Sequence, residues 1–145
     1  MSSSSISSSA MSSFFASPHF LRRVLWLDAA SGVATGLAQW AFADALAPLL
    51  GLPANLLLWS SYALGVFVLC ITWIATRKSI PAGAVWMLIA ANALWVLACL
   101  GLLASSLVAP TMFGVSFLIT QAVTVGVLLE LEWIGVRKIQ SEPAW

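Results

Sequence analysis

The chain has 145 residues, of which 61% are hydrophobic and only 8% are charged, and its net charge is +1. Soluble proteins carry a charge on about a quarter of their residues. A chain of this composition cannot keep its apolar surface away from water, so we expect it to lie in a lipid bilayer. A net charge near zero gives no indication of a nucleic-acid partner.

The first 20 residues form a serine-rich tail that begins MSSSSISSSAMSSFFAS. This tail has neither the basic segment nor the long apolar segment of a secretory signal peptide. We expect it to be disordered, and Met11 is an alternative start of the chain. Residues 141–145 are expected to form a short tail at the other end.

Four apolar runs follow the tail, and each is long enough to cross a hydrocarbon core, which takes a helix of about 20 residues. Short segments that contain proline, glycine or serine separate the runs. Connections this short make consecutive helices antiparallel neighbours. The predicted fold is therefore all-α, a four-helix transmembrane bundle with up-down topology. Its predicted spans are residues 24–46, 54–76, 82–104 and 111–134.

The basic residues predict the orientation of the bundle. All of them lie before the first span, after the second or after the fourth, so they fall on one side of the membrane. The positive-inside rule places that side, with both termini, in the cytoplasm, and a bacterial inner membrane is the expected location. A bias this strong also predicts that any homo-oligomer is parallel. The basic residues are Arg22, Arg23, Arg77, Lys78, Arg137 and Lys138.

The first span contains a stripe of residues at every fourth position, which drifts slowly around a helix. Within it, Gly32 and Gly36 have the GxxxG spacing that lets membrane helices approach closely. This pair is predicted to be a helix-packing seam. The sequence leaves open whether the seam packs inside the chain or against a second copy. The stripe consists of Asp28, Gly32, Gly36, Trp40 and Asp44.

Three acidic residues, Asp28, Glu130 and Glu132, fall toward the cytoplasmic ends of the spans. An acid inside a membrane is costly and is by default a candidate functional residue. The alternative is that these acids pair with nearby arginines at the headgroup boundary and only close the bundle. Because residues this close to the interface can extend their charged ends toward water, we favour the alternative.

Asn92 and Gln121 each lie eleven residues after a proline that precedes their span, which places both about 16 Å deep. Two amides at the same depth can hydrogen-bond to each other, and Trp95, one turn after Asn92, would then also face inward. We favour interhelical packing as the role of these polar residues. The alternative is a midplane binding site formed by Asn92, Trp95 and Gln121.

The remaining candidate chemistry is sparse. Cys70 and Cys99 differ in predicted depth by about 16 Å, which excludes a disulfide between them, and no CxxC pair is present. The single histidine, His19, lies outside the spans. We therefore expect no metal, no cofactor and no catalytic site.

The segments LRRVLWLDAASG, LGLP, NALWVLA and QAVTVGVLLELEWIG together resemble an uncharacterised family of short four-helix bacterial inner-membrane proteins. The resemblance covers roughly residues 20–138 and implies an architecture but no activity. Small multidrug transporters are similar in length and helix number. Their essential glutamate lies near the middle of the first helix, where this chain has Gly32, Ala34 and Thr35.

Two functions remain open, and a third, an enzyme that acts on a lipid or a quinone, has the least support. The first, which the sequence favours, is a non-catalytic accessory or packing subunit of a membrane assembly, with another membrane protein or a parallel second copy as partner. The second is a small transporter or channel in which Asn92, Trp95 and Gln121 form a midplane site. In this alternative, Asp28 or Glu130 would bind a proton on the cytoplasmic side.

Overall fold

The computed structural model describes residues 18–141, which form four helices and the turns between them, with no strand in this part of the chain. The helices are α1 (Pro18–Leu50), α2 (Ala54–Ala75), α3 (Ala82–Ala104) and α4 (Met112–Ser141). The prediction of an all-α fold with four helices is confirmed. The serine-rich segment before Pro18 and the last four residues of the predicted C-terminal tail lie outside the described residues.

All four helices are long and apolar enough to cross a membrane, which is compatible with an integral membrane protein that crosses the bilayer several times. α2 and α3 contain 22 and 23 residues, whereas α1 contains 33 and α4 contains 30. At 1.5 Å per residue, α1 and α4 are longer than the ~30 Å hydrocarbon core. They extend beyond the predicted spans because hydropathy marks the apolar part of a helix and not its ends.

The helices pack in the lateral order α2, α1, α4, α3. α1 makes its most extensive contact with α2 and a smaller one with α4, and α3 packs mainly on α4. α2 and α3 barely touch. The bundle is thus closed on three sides and open along the edge between α2 and α3.

Hydrogen bonds join the helices at both ends of the bundle. At one end, Arg22 donates to the carbonyl oxygens of Ala75 at 2.8 Å and Arg77 at 2.7 Å. At the other end, the amide of Thr111 donates to the carbonyl of Leu50 at 3.0 Å. The hydrogen bonds of Arg22 show that the start of α1 lies beside the end of α2. At the other end, Gly51, with φ of 66°, makes the sharp turn between α1 and α2 in the left-handed region that glycine tolerates.

Gly32 and Gly36 face α2 of the same chain. A Cβ atom added to Gly32 would lie 2.8 Å from a methyl group of Val68, and one added to Gly36 would lie 3.5 Å from Cβ of Leu64. The close approach that the GxxxG spacing predicts is therefore used inside the chain. The later residues of the predicted stripe, Trp40 and Asp44, turn away, because positions four apart drift around the helix. Trp40 is 59% exposed and Asp44 is also exposed.

Apolar clusters occupy both ends of the interior, and most of the buried polar side chains lie between them. The first cluster includes Leu21, Leu25, Ile71, Val85 and Val136. The second cluster includes Ala43, Leu50, Leu57, Cys99 and Leu118.

Candidate functional site

Three buried polar side chains from three helices meet between the two apolar clusters. The amide nitrogen Nδ2 of Asn92 donates to Oδ2 of Asp28 at 2.9 Å and to Oε2 of Glu132 at 3.2 Å. The exposed fractions of Asp28, Asn92 and Glu132 are 2%, 4% and 0%. One amide thus holds two carboxyl groups side by side, and we refer to these three residues as the acid–amide cluster.

The lengths of the helices explain why these residues meet. Asp28 lies ten residues after the start of α1 at Pro18, and Asn92 lies ten residues after the start of α3 at Ala82. Glu132 lies nine residues before the end of α4 at Ser141. All three are therefore about 15 Å from the same end of the bundle. Depth counted from the predicted apolar spans places Asp28 nearer to the membrane surface than Asn92, because α1 begins before its predicted span.

The acid–amide cluster is not neutralised by an arginine among the described residues. Arg22 binds backbone carbonyls, and the guanidinium groups of Arg77 and Arg137 lie 3.9 Å and 5.6 Å from the ring centroids of Trp73 and Trp133. The predicted closure of the bundle by arginine–acid pairs is wrong for Asp28 and Glu132. Two buried carboxyl groups without a cationic partner must be compensated by a proton or by an incoming cation.

Glu132 is incompletely satisfied. Its Oε1 atom is buried and has no hydrogen-bond partner among the described residues. Oδ2 of Asp28 and Oε2 of Glu132 lie 2.9 Å and 3.2 Å from the same nitrogen atom, and a hydrogen bond between two neighbouring carboxyl groups requires a proton on one of them. The cluster can therefore hold a proton, and it has an acceptor left for one more donor.

A cavity of about 190 Å³ adjoins the cluster; most of its wall is apolar, and we call it the polar cavity because polar side chains such as Asp28 and Asn92 also line it. Asp28, Asn92 and Trp95 form part of its wall. The indole nitrogen Nε1 of Trp95 is buried without a hydrogen-bond partner among the described residues. A carboxyl group and an indole with an unused N–H donor thus belong to side chains that line one cavity. Its other polar lining residues are Ser31, Thr35 and Gln121.

The predicted hydrogen bond between Asn92 and Gln121 is wrong. Asn92 binds the two acids, whereas Nε2 of Gln121 donates to Oγ1 of Thr35 at 3.2 Å. The two amides lie at different levels, since their partners on α1, Asp28 and Thr35, are seven residues or about 10 Å apart along that helix. Asn92, Trp95 and Gln121 nevertheless line the same cavity.

A second cavity of about 110 Å³ lies next to the polar cavity. Trp95 and Gln121 line both, so these two side chains stand between the cavities. The second cavity contains Gln39, which is 3% exposed and accepts a hydrogen bond from the hydroxyl of Ser60. Polar groups therefore continue along the interior beyond the acid–amide cluster.

The inward position of Gln39 was not predicted, and Glu132 was not distinguished from Glu130. Glu130 is exposed on the outside of α4. Asp28, Thr35 and Gln39 are spaced by seven and four residues, which keeps them on one face of α1. This spacing indicates an inward position for Gln39, although it is less regular than the stripe at every fourth position.

Among the described residues, no group of three or more histidine, cysteine or acidic side chains is placed to hold a metal ion. Cys70 and Cys99 are not bonded to each other, and only Cys99 is buried. The chain matches no protein-family model, no curated protein and no solved structure.

Proposed function

We propose that this protein is a small membrane transporter that binds a cation at the acid–amide cluster and exchanges it for a proton. The observation that carries the proposal is the burial of Asp28 and Glu132 on one shared amide, without an arginine or lysine partner among the described residues, with Asp28 at the wall of a cavity. An acid placed this way is costly and has no packing role that an apolar residue would not fill better.

The chemistry of exchange follows from the groups at the cavity. A proton shared by the two carboxyl groups and a cation beside Asp28 are alternative ways of compensating the same buried charge. Binding of one therefore favours release of the other. Asn92 donates to both carboxyl groups and would keep them in position in either state.

A transporter fits the interior better than an open channel. Apolar clusters close both ends of the described bundle, and the two cavities between them are small. A solute in the polar cavity would have to pass Trp95 and Gln121 to reach the second cavity. Passage therefore requires a conformational change, which is how transporters give alternating access.

The proposed topology is up-down, with both termini in the cytoplasm of a bacterial inner membrane. Hydrogen bonds join Arg22 to the backbone of Arg77 and Lys78, which groups basic residues at one end of the bundle. Positive charge on one side is the pattern that the positive-inside rule relates to the cytoplasm. A second copy, if present, would be parallel and would use a surface other than the glycine seam, which α2 already covers.

The accessory-subunit hypothesis is now the weaker one. It depended on a structural explanation for every polar layer, and Asp28 and Glu132 do not have the arginine partners that it required. Copurification of a partner in fixed stoichiometry, together with an absence of transport by the chain alone, would restore it.

The test is uptake of radiolabelled tetramethylammonium into proteoliposomes that contain only this protein and have an acidic interior. Wild-type protein should accumulate the cation while an internal pH dye reports the loss of protons. Glu132→Gln and Asp28→Asn should each lower the initial rate by at least about tenfold, because each removes a charge from a low-dielectric site. Glu130→Gln, which changes an exposed acid of the same helix, should retain the wild-type rate.

Thermal unfolding and gel filtration of each variant in detergent would show that it is folded. Uptake that is the same in wild type, Asp28→Asn and Glu132→Gln would contradict the proposal. Absence of uptake by folded wild-type protein, both of tetramethylammonium and of hexyltrimethylammonium, which adds an apolar chain, would contradict it as well.

A further inference from the structure

We infer that the transported cation carries an apolar tail and reaches the site from the bilayer, through the open edge between α2 and α3. This inference rests on the proposed function and specifies its substrate class. It is carried by the continuity between the polar cavity and an apolar groove on the outside of the bundle, which we call the α2–α3 groove.

The α2–α3 groove has a volume of about 650 Å³ and an almost entirely apolar wall. It exists because α2 and α3 barely touch, so the side chains of both helices leave a gap between them. Several of its lining residues face outward, including Leu69, which is 72% exposed, and Met87, which is 74% exposed. Its lining residues include Val66, Phe67, Leu69, Trp73, Met87 and Leu88.

The groove and the polar cavity share part of their walls. Ala63, Phe67 and Ala91 line both spaces. Ala63 and Ala91 are exposed alanines, and a methyl side chain is too small to separate the two spaces. Phe67, which is half-buried, is the one large side chain at this boundary.

The two spaces differ in chemistry, and the difference defines the occupant. The inner space is lined by Asp28, whose acid favours a positive charge, whereas the outer space favours hydrocarbon. A molecule that fills both has a cationic head and an apolar tail. Such a molecule concentrates in the membrane, and the open edge of the bundle faces it there.

The test compares two probes with the same head. Tetramethylammonium has no tail, and hexyltrimethylammonium adds an apolar chain to the trimethylammonium group. Binding of both radiolabelled probes to the full chain in nanodiscs would be measured by equilibrium dialysis. The signal of Asp28→Asn would be subtracted, because it contains the partitioning of each probe into lipid.

Wild-type protein should bind hexyltrimethylammonium about tenfold or more tightly than tetramethylammonium, since each pair of buried methylene groups adds roughly that factor. Ala91→Leu places a larger side chain at the shared wall and should reduce this ratio to about two or less. Ala90→Leu makes the same change at the neighbouring exposed alanine, which lines neither space, and should retain the wild-type ratio. Using the ratio cancels any general loss of affinity.

The outcomes separate this inference from the proposed function. If neither probe binds in an Asp28-dependent way, the proposed function is wrong. If both probes bind with equal affinity, the cation site stands and the groove is not part of it, as expected if a lipid acyl chain fills the groove. A ratio that persists in Ala91→Leu would also overturn the inference, because the tail would then lie elsewhere.

Discussion

The two sides of α2 are built in opposite ways. On one side, α1 approaches so closely that Gly32 has no space for a β-carbon, and Leu64 packs beside Gly36. On the other side, α3 stays apart and leaves the α2–α3 groove. The same helix thus takes part in the most extensive and the least extensive helix contact of the described bundle.

This difference separates the parts of the molecule that hold it together from the part that can admit a solute. In lipid, burial of apolar surface gives little drive for helices to associate, so close packing of small residues and hydrogen bonds must supply it. The contact between α1 and α2 has both, through Gly32 and Arg22. The gap between α2 and α3 has neither among the described residues. At this edge the polar cavity is bordered by two exposed alanines, one from each helix.

The largest effect is expected at the closed contact. Gly32→Leu would force a side chain against Val68 and should lower the free energy of unfolding by about 2 to 3 kcal/mol, as overpacking does elsewhere. Gly65→Leu is the matched control, because a β-carbon at Gly65 meets no atom within 4 Å. Unfolding in mixed micelles would be compared for the two variants. Equal stabilities would mean that α1 and α2 are not in close contact.

A smaller effect is expected at the end of the same contact. Arg22→Ala removes the hydrogen bonds to the carbonyl groups of Ala75 and Arg77 and should cost about 1 to 2 kcal/mol. Arg23→Ala removes the neighbouring exposed arginine and should cost under about 0.5 kcal/mol. The same unfolding assay applies. A loss as large for Arg23→Ala as for Arg22→Ala would show that the effect is one of charge alone.

The smallest effect on stability is expected at the open edge, because labelling a cysteine there should leave the free energy of unfolding unchanged. Cys70 lines the α2–α3 groove and is exposed, whereas Cys99 is buried beside the second cavity. Native protein in mild detergent should incorporate one N-ethylmaleimide per chain, and denatured protein should incorporate two, as read by mass spectrometry. Cys70→Ala should abolish native labelling. Rapid labelling of Cys99 in that variant would show that the bundle is looser than the structure.

The sequence was sufficient for the number and type of the helices because length, apolarity and turn residues are local properties. It was insufficient for the ends of α1 and α4, which continue as helix past the apolar runs. That error propagated into the depth of Asp28 and hid its hydrogen bond to Asn92. Depth counted from a hydropathy boundary is thus a weak predictor of which polar groups meet.

The rotation of each helix was the second quantity that the sequence left undetermined. Glu130 and Glu132 are two residues apart and therefore point in nearly opposite directions on a helix. The small residues Gly114, Ala122 and Gly135 follow one face of α4, and all three are buried. Glu132 lies on the continuation of that face, so the spacing of small residues was a signal that favoured it over Glu130.

The contact between α1 and α4 has a mechanical consequence. Gly114 allows the carbonyl of Leu50 to approach α4 at one end, and Gly135 admits the side chain of Leu21 at the other. These two contacts join α1 and α4 at opposite ends of the bundle, between the closely packed pairs α1–α2 and α3–α4. Asp28 belongs to one pair and Asn92 to the other, so their hydrogen bond crosses the boundary between the pairs. Any movement of one pair relative to the other would have to stretch or break that hydrogen bond.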